Sequence, residues 1–346
     1  MHDYRPHHFD MRGLAWSVGI LGAIVGAVAL GSNYGGAFAL ERFRVAPQGL
    51  VASAAAIPET AARVEEAPRL EGATLSRFTV GESQPPEVSA RSYIIADIES
   101  GEIFTAKGPL IPYPIASITK LLTASVALDT FAPTTTIKLN AEDRRRAEGA
   151  PGSVTQDDSF ALFDALHAML TESNNTVANA LARTAGNKEF MNAMQAKARK
   201  IGMAANFEDP SGLSALNTAS ALDILKLTQH LYDNSPSILA MTRAKELRIK
   251  ANSGRAYTLS NYNVFAGEKG FFGGKTGFTD AARQTMTTVF EVPVKTTRPL
   301  KDSLGVETET AIIAIIVLGS EGRKADIEEL RDWFEENARM VAPRLD

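Results

Sequence analysis

The sequence predicts an α+β domain whose terminal segments share one sheet. Strand-like stretches stand early in the folded part, at 93–98 and 103–106, and again late, at 284–292 and 311–318. Between them the apolar residues recur with the three-and-four spacing of helices.

Each element has its own signal. Glu99-Ser100-Gly101 separates the first two strands as a hairpin turn would. Pro112-Tyr113-Pro114 ends extended structure, and Ile118, Leu121, Leu122 and Val126 then share a helical face, which puts Ser117 near a helix start. Leu162, Phe163, Leu166, Met169 and Leu170 predict a second helix, with Asp157, Asp158 or Ser159 as its cap. It runs into Ser173-Asn174-Asn175, after which Val177, Ala180 and Leu181 predict another. Further helices fit 189–199 and 220–232, and a closing helix carries Ile327, Leu330, Phe334 and Val341 on one face. There is no internal repeat and no heptad run.

Composition narrows the chemistry. The 346 residues suffice for about two domains at roughly 150 residues each. With 36 Lys and Arg against 40 Asp and Glu, the net charge of −4 argues against a nucleic-acid partner, which needs a basic face. The 45 % of hydrophobic residues can supply a core. No cysteine is present, which excludes disulfides, thiolate nucleophiles and cysteine-held metals. Of the five histidines, His2, His7 and His8 lie near the start, leaving His167 and His230 for the body. No cofactor is expected.

From Gly13 to Leu40 no side chain is charged, and Leu14 to Leu30 is apolar apart from Ser17. A run of about seventeen such residues is at the short end of what spans a bilayer. It has no polar face for a surface-packed helix to expose. Residues 1–44 are therefore expected to target the membrane, as a single-pass signal-anchor or, with a cut near Ala37-Phe38-Ala39, as a cleaved signal peptide. The remainder is then extracytoplasmic, held at the cell membrane or, after cleavage, secreted or periplasmic. Residues 45–91, rich in Ala, Pro, Glu and Ser with Phe78 as their one aromatic, read as a tether, and 92–346 as the folded domain.

Three constellations carry chemistry. Ser117 and Lys120, three apart at a helix start, share a face. A lysine whose pKa is lowered can take the proton of a serine hydroxyl; by itself such a pair also occurs by chance. Ser173-Asn174-Asn175 offers a hydroxyl to relay a proton and an amide to hold a carbonyl, or simply a helix cap. Gly273-Gly274-Lys275-Thr276-Gly277 combines glycines that allow a ligand close to the backbone with a cation and a hydroxyl suited to a carboxylate, or is a turn with a solvated lysine. It is not a P-loop, because Lys269 stands where the first glycine belongs and no helix follows.

In this order the three resemble the penicillin-recognising serine enzymes, whose signature is S-x-x-K, S-D-N or similar, and K-T-G. Residues 114–120, Pro-Ile-Ala-Ser-Ile-Thr-Lys, and Asp209-Pro210-Ser211-Gly212-Leu213-Ser214 are similar to the D-alanyl-D-alanine carboxypeptidase branch, and the likeness runs from about Ser92 to Trp333. The resemblance implies a DD-peptidase/β-lactamase-like fold, with a mainly antiparallel sheet, flanking helices and a helical subdomain. It implies a serine-type D-Ala-D-Ala carboxypeptidase acting on peptidoglycan stem peptides through an acyl-enzyme and inhibited by β-lactams. Carried over by position, Ser117 is the nucleophile and Lys120 its base. Ser173 passes a proton to the leaving amine, and Asn175 orients the substrate amide. Lys275 and Thr276 of the Lys-Thr-Gly277 motif bind the terminal carboxylate. The N–H groups of Ser117 and Phe278 form the oxyanion hole. Because Lys275 and Thr276 point to opposite faces of a strand, both can serve one pocket only at a sheet edge beside the cleft.

The chain departs from the family in three places. Ala282-Arg283 replaces a frequent Ala-Gly, and Arg283 reads either as a cation near the carboxylate site or as a solvated residue. Asn174 stands in the middle of the second motif. The chain ends at Asp346 without the C-terminal β-domain and amphipathic anchor of many family members, a role expected to pass to the N-terminal segment.

Rival readings are a DD-endopeptidase cutting cross-links, a β-lactamase, a non-catalytic wall-binding protein, and a Ser-His-Asp hydrolase using His167 or His230. The β-lactamase needs a deacylating Glu shortly before Leu-Asn, and Glu208 lies too far ahead of Leu216-Asn217. Arg144-Arg145-Arg146 reads as a solvated turn.

Overall fold

The computed structural model describes residues 77–147, 152–154, 157–296 and 308–340. The expected membrane segment, most of the tether and Val341 lie outside the described residues. Among the described residues, no helix is long and apolar enough to cross a membrane.

The chain opens with β1 (Phe78–Val80), β2 (Ser92–Asp97), β3 (Ile103–Lys107) and β4 (Tyr113–Pro114), then a 3-10 turn, Ala116–Ile118. A helical region follows: α1 (Thr119–Thr130), β5 (Thr136–Lys138), α2 (Ala141–Arg145), β6 (Ser159–Ala161), α3 (Leu162–Thr171), α4 (Asn175–Ala185) and α5 (Asn187–Lys200). After β7 (Thr218–Ala219) come α6 (Ala221–Asn234), α7 (Pro236–Ala240) and a hairpin of β8 (Glu246–Lys250) and β9 (Ala256–Ser260). The chain returns through β10 (Phe271–Thr279), β11 (Arg283–Thr296), β12 (Thr308–Ser320), α8 (Arg323–Asn337) and β13 (Ala338–Met340).

The terminal segments do share one sheet. Its order is β1-β13-β11-β12-β2-β3, with β10 added on β11. Ile94 of β2 faces Ile316 of β12 in an antiparallel pair, and β11 with β13 is a parallel exception. Ile94 and Ala96 enter a core with the helices, whereas Tyr93 and Ile95 enter a second core with Phe334 of α8. Both faces are covered, so these strands read as continuous apolar runs rather than alternating ones.

Four local readings change. Phe78, assigned by composition to the tether, is buried, and its strand pairs with β13, so the folded body begins ahead of Ser92. Asp158 and Ser159 do not cap α3. Asp158 is buried and accepts hydrogen bonds from Ser253 Oγ at 2.7 Å and from Tyr257, and Ser159 opens β6, because a tertiary contact outcompetes a local cap. Phe163 points outward, 41 % exposed, on the face of α3 opposite its buried residues. Arg144 and Arg145 are exposed as expected but close a short helix, begun by a reciprocal cap between Asn140 and Asp143.

Candidate active site

Ser117 sits in the tight turn ahead of α1, and the residue before it, Ala116, has a left-handed φ of 47°. Three contacts impose this conformation. Thr285 Oγ1 of β11 donates to the Ile115 carbonyl at 3.0 Å, and Ile115 N donates to the Asn217 carbonyl at 3.0 Å. Gly277 of β10 lies against the turn so closely that a β-carbon there would stand 2.9 Å from Ile115 O and 3.0 Å from Ala116 Cβ. On this side the close approach that the glycine permits is one of strand to nucleophile turn.

One helical turn on, Lys120 is fully buried. Its Nζ donates to Ser117 Oγ at 2.8 Å and to the Ser211 carbonyl at 2.6 Å. Burial lowers its pKa to about 7, against an opposing pull from the Asp209 carboxylate. A substantial share of the amine is therefore uncharged at neutral pH, as a base for a serine requires.

Asp209 builds the loop that aims the Ser211 carbonyl. One of its oxygens accepts from Ser211 N at 2.7 Å, Ser211 Oγ at 2.6 Å and Gly212 N at 2.7 Å, and the other from Ser214 N at 2.7 Å. Burial alone would raise its pKa, but these hydrogen bonds outweigh it and the net shift is downward. Asn217 closes the loop, donating to the Asp209 carbonyl at 2.8 Å and accepting from Glu208 N at 2.8 Å. Its role is architectural, and Glu208 is exposed.

Ser173 joins α3 to α4 with a left-handed φ of 57° and is buried. Asn174 is the helix cap, its Oδ1 accepting from Val177 N at 3.0 Å, so the capping reading holds for the middle residue of the motif. Asn175 is buried at the first turn of α4. Both α3 and α4, the helices this turn joins, pack on α1, the helix of Lys120. Glu172 fastens the turn from the other side, accepting from Ser153 N at 2.7 Å and Ser153 Oγ at 2.9 Å.

Lys275, Thr276 and Phe278 lie on β10, whose one strand partner among the described residues is β11. This is the sheet-edge position that a shared pocket requires. Lys275 and Thr276 are buried and Phe278 is exposed. Lys275 Nζ donates to the Thr276 carbonyl at 2.9 Å. Its pKa is held well below the ordinary lysine value, first by burial and then by the positive charges of Lys120 and Arg323.

Arg323, at the start of α8, went unnoticed in the sequence. Its Nη1 donates to the Gly277 carbonyl at 2.8 Å, and burial lowers its pKa. No local signal marks it, since it reaches β10 only because α8 follows β12 back across the sheet. Arg283 is a surface residue, its Nη2 2.6 Å from Glu321 Oε1, so Arg323 and not Arg283 supplies the second cation beside Lys275. Neither histidine has a described contact with Ser117. Burial lowers the pKa of both, and His230 faces Asn234 on its own helix.

The likenesses to known proteins agree with this geometry. A family model described as D-alanyl-D-alanine carboxypeptidase matches residues 79–291. The D-alanyl-D-alanine endopeptidase of Escherichia coli (strain K12) is 28 % identical over 269 residues, covering 75 % of this chain and 81 % of that protein. The crystal structure of the D-alanyl-D-alanine carboxypeptidase from Mycobacterium tuberculosis H37Rv superposes with a TM-score of 0.64 at 25 % identity, covering 77 % of this chain and 97 % of that one. Penicillin-binding protein D2 from Listeria monocytogenes in its ampicillin-bound form gives a TM-score of 0.58 at 25 % identity, over 71 % and 97 % of the two chains. A matched segment that begins in β1 and ends in β11 takes in all three motifs, and the chain belongs to the D-alanyl-D-alanine carboxypeptidase family of serine DD-peptidases.

Proposed function

We propose that this DD-peptidase acts as a D-Ala-D-Ala carboxypeptidase on peptidoglycan stem peptides. The observation that carries the reading is the buried Lys120 amine, 2.8 Å from Ser117 Oγ with a pKa near neutrality. Neutral Lys120 takes the Ser117 proton as Oγ attacks the carbonyl between the two D-alanines. The N–H groups of Ser117 and Phe278 hold the oxyanion. Ser173 delivers a proton to the departing D-alanine amine, while Asn175 orients the substrate amide. Lys275 and Thr276, joined by Arg323, bind the terminal carboxylate, an anion that restores Lys275 to its charged form. Water then releases the acyl group from Ser117. Residues 1–44 place this chemistry outside the cytoplasm, at the membrane.

A second reading, cleavage of cross-links, is favoured by one observation, the likeness to the E. coli endopeptidase. It uses the same residues on a larger leaving group. The two are separated by offering the protein a pentapeptide and a cross-linked dimer. Release of D-alanine alone supports the carboxypeptidase, and cleavage of the dimer overturns it. A fluorescent penicillin adduct that persists in Ser117→Ala would overturn both.

A further inference from the structure

In an antiparallel pair, successive N–H groups of a strand point alternately toward the partner and away from it. Gly274 turns its N–H away from β11, because that N–H donates to Thr242 Oγ1 at 2.9 Å. From Gly274 to Thr279 the pairing of β10 with β11 runs without a shift. Thr276 and Phe278 therefore direct their N–H groups to the same edge as Gly274 does. That is the parity which the oxyanion role of Phe278 requires.

The segment after α7 supplies the partner for this edge. Thr242 is buried, and its hydroxyl donates to the Leu239 carbonyl at 2.6 Å, which leaves the oxygen free to accept from Gly274 N. Asn261 fixes the backbone here, its Nδ2 donating to the carbonyls of Thr242 at 2.9 Å and Ala244 at 3.0 Å. The segment lies tight against β10. A β-carbon on Gly273 would stand 2.6 Å from Leu239 O, and the Arg243 guanidinium lies 4.6 Å from the centre of the Phe272 ring. One side-chain oxygen thus does at Gly274 what a neighbouring strand does along a whole edge. From that point the edge runs on to Thr276 and Phe278.

We propose that Thr242 is a positioning residue for acylation: its hydroxyl fixes the edge of β10 at Gly274 and so sets the Phe278 N–H at the oxyanion. The inference rests on the oxyanion reading given above. Thr242 itself touches no reacting atom. A backbone N–H has no side-chain freedom with which to follow a strand that has moved, whereas the Lys275 ammonium, on its long stem, still reaches a carboxylate. Loosening the edge therefore weakens the transition state more than it weakens binding.

The test follows acylation of Ser117 by a fluorescent penicillin in the full-length protein in detergent. A range of penicillin concentrations separates the limiting rate from the half-saturating concentration. Thr242→Val replaces the hydroxyl by a methyl group of similar size. Its limiting rate should fall about thirtyfold while the half-saturating concentration moves less than about threefold. Thr242→Ser keeps the hydroxyl and should stay within about twofold of the wild type in both. The pH midpoint of labelling should be the same in all three proteins, because Thr242 acts at Gly274 and not at Lys120. An unchanged limiting rate in Thr242→Val overturns the proposal, as does a loss confined to the half-saturating concentration. An equal loss in Thr242→Ser overturns it by tracing the effect to packing, and a shifted midpoint by tracing it to the base. A Thr242→Val protein without a cooperative melt also overturns it, since the hydroxyl then holds the domain rather than the edge. Labelling of wild-type Ser117 alongside any of these results leaves the parent reading standing. No labelling of the wild type, or a label that persists in Ser117→Ala, overturns both.

Discussion

Asp209 opposes burial at Lys120: its carboxylate favours the charged amine that the packing around that amine disfavours. The same carboxylate shapes the loop whose Ser211 carbonyl accepts from Lys120 Nζ at 2.6 Å. One residue thus both tempers the charge state that burial imposes on the base and shapes the loop that aims it.

The first consequence is a pH profile. The neutral amine is the reactive form, and the Lys120 pKa is about 7. Acylation of Ser117 by a fluorescent penicillin should therefore fall about tenfold per pH unit below 7 and level off above it. A flat rate from about pH 5.5 to 8 would count against Lys120 as the base.

Asp209→Asn should move that profile to lower pH, because removing a negative charge leaves burial of the amine unopposed. The variant also presents an amide to several N–H donors that now meet a carboxylate, at a cost of about 2–3 kcal/mol. Labelling rates against pH and a thermal melt read the two effects separately.

Gly277→Ala should displace the nucleophile. Its β-carbon would crowd Ile115 O and Ala116 Cβ, and overpacking of this kind costs about 1–3 kcal/mol. The acylation rate should drop roughly a hundredfold, out of proportion to the stability lost, since a displacement of about 1 Å at the reacting atom suffices for such a loss. Comparing the labelling rate with the melting temperature checks this.

Arg323→Gln should raise KM about tenfold or more for a peptide ending in a free carboxylate, as a charged hydrogen bond is lost. A matched substrate amidated at that end should respond little. The change also removes one of the positive charges that depress the Lys275 pKa, which should rise. Steady-state kinetics on the paired substrates distinguishes loss of carboxylate binding from general damage.

The legible part of the site was the local part. Ser117 and Lys120 lie one helical turn apart, so their contact follows from helix geometry, and Asn174 caps α4 as an asparagine at that place commonly does. Asp158 was misread for the complementary reason: its partners Ser253 and Tyr257 are distant in the chain. Phe78 went into the tether because a three-residue strand has no periodicity to find, and its partner β13 is at the other end of the protein.

The absence of cysteine and the scarcity of histidine narrowed the chemistry, and three motifs in order, legible from sequence alone, carry the resemblance to the serine DD-peptidases that names Ser117 and Lys120 as candidates. Only the tertiary structure decided the pKa of that lysine, the edge position of β10, the approach of Gly277 to the nucleophile turn, and the arrival of Arg323 beside Lys275. Residue type and spacing state which groups can react. Burial and charge proximity, which depend on chain segments far apart in sequence, set the protonation state in which they meet.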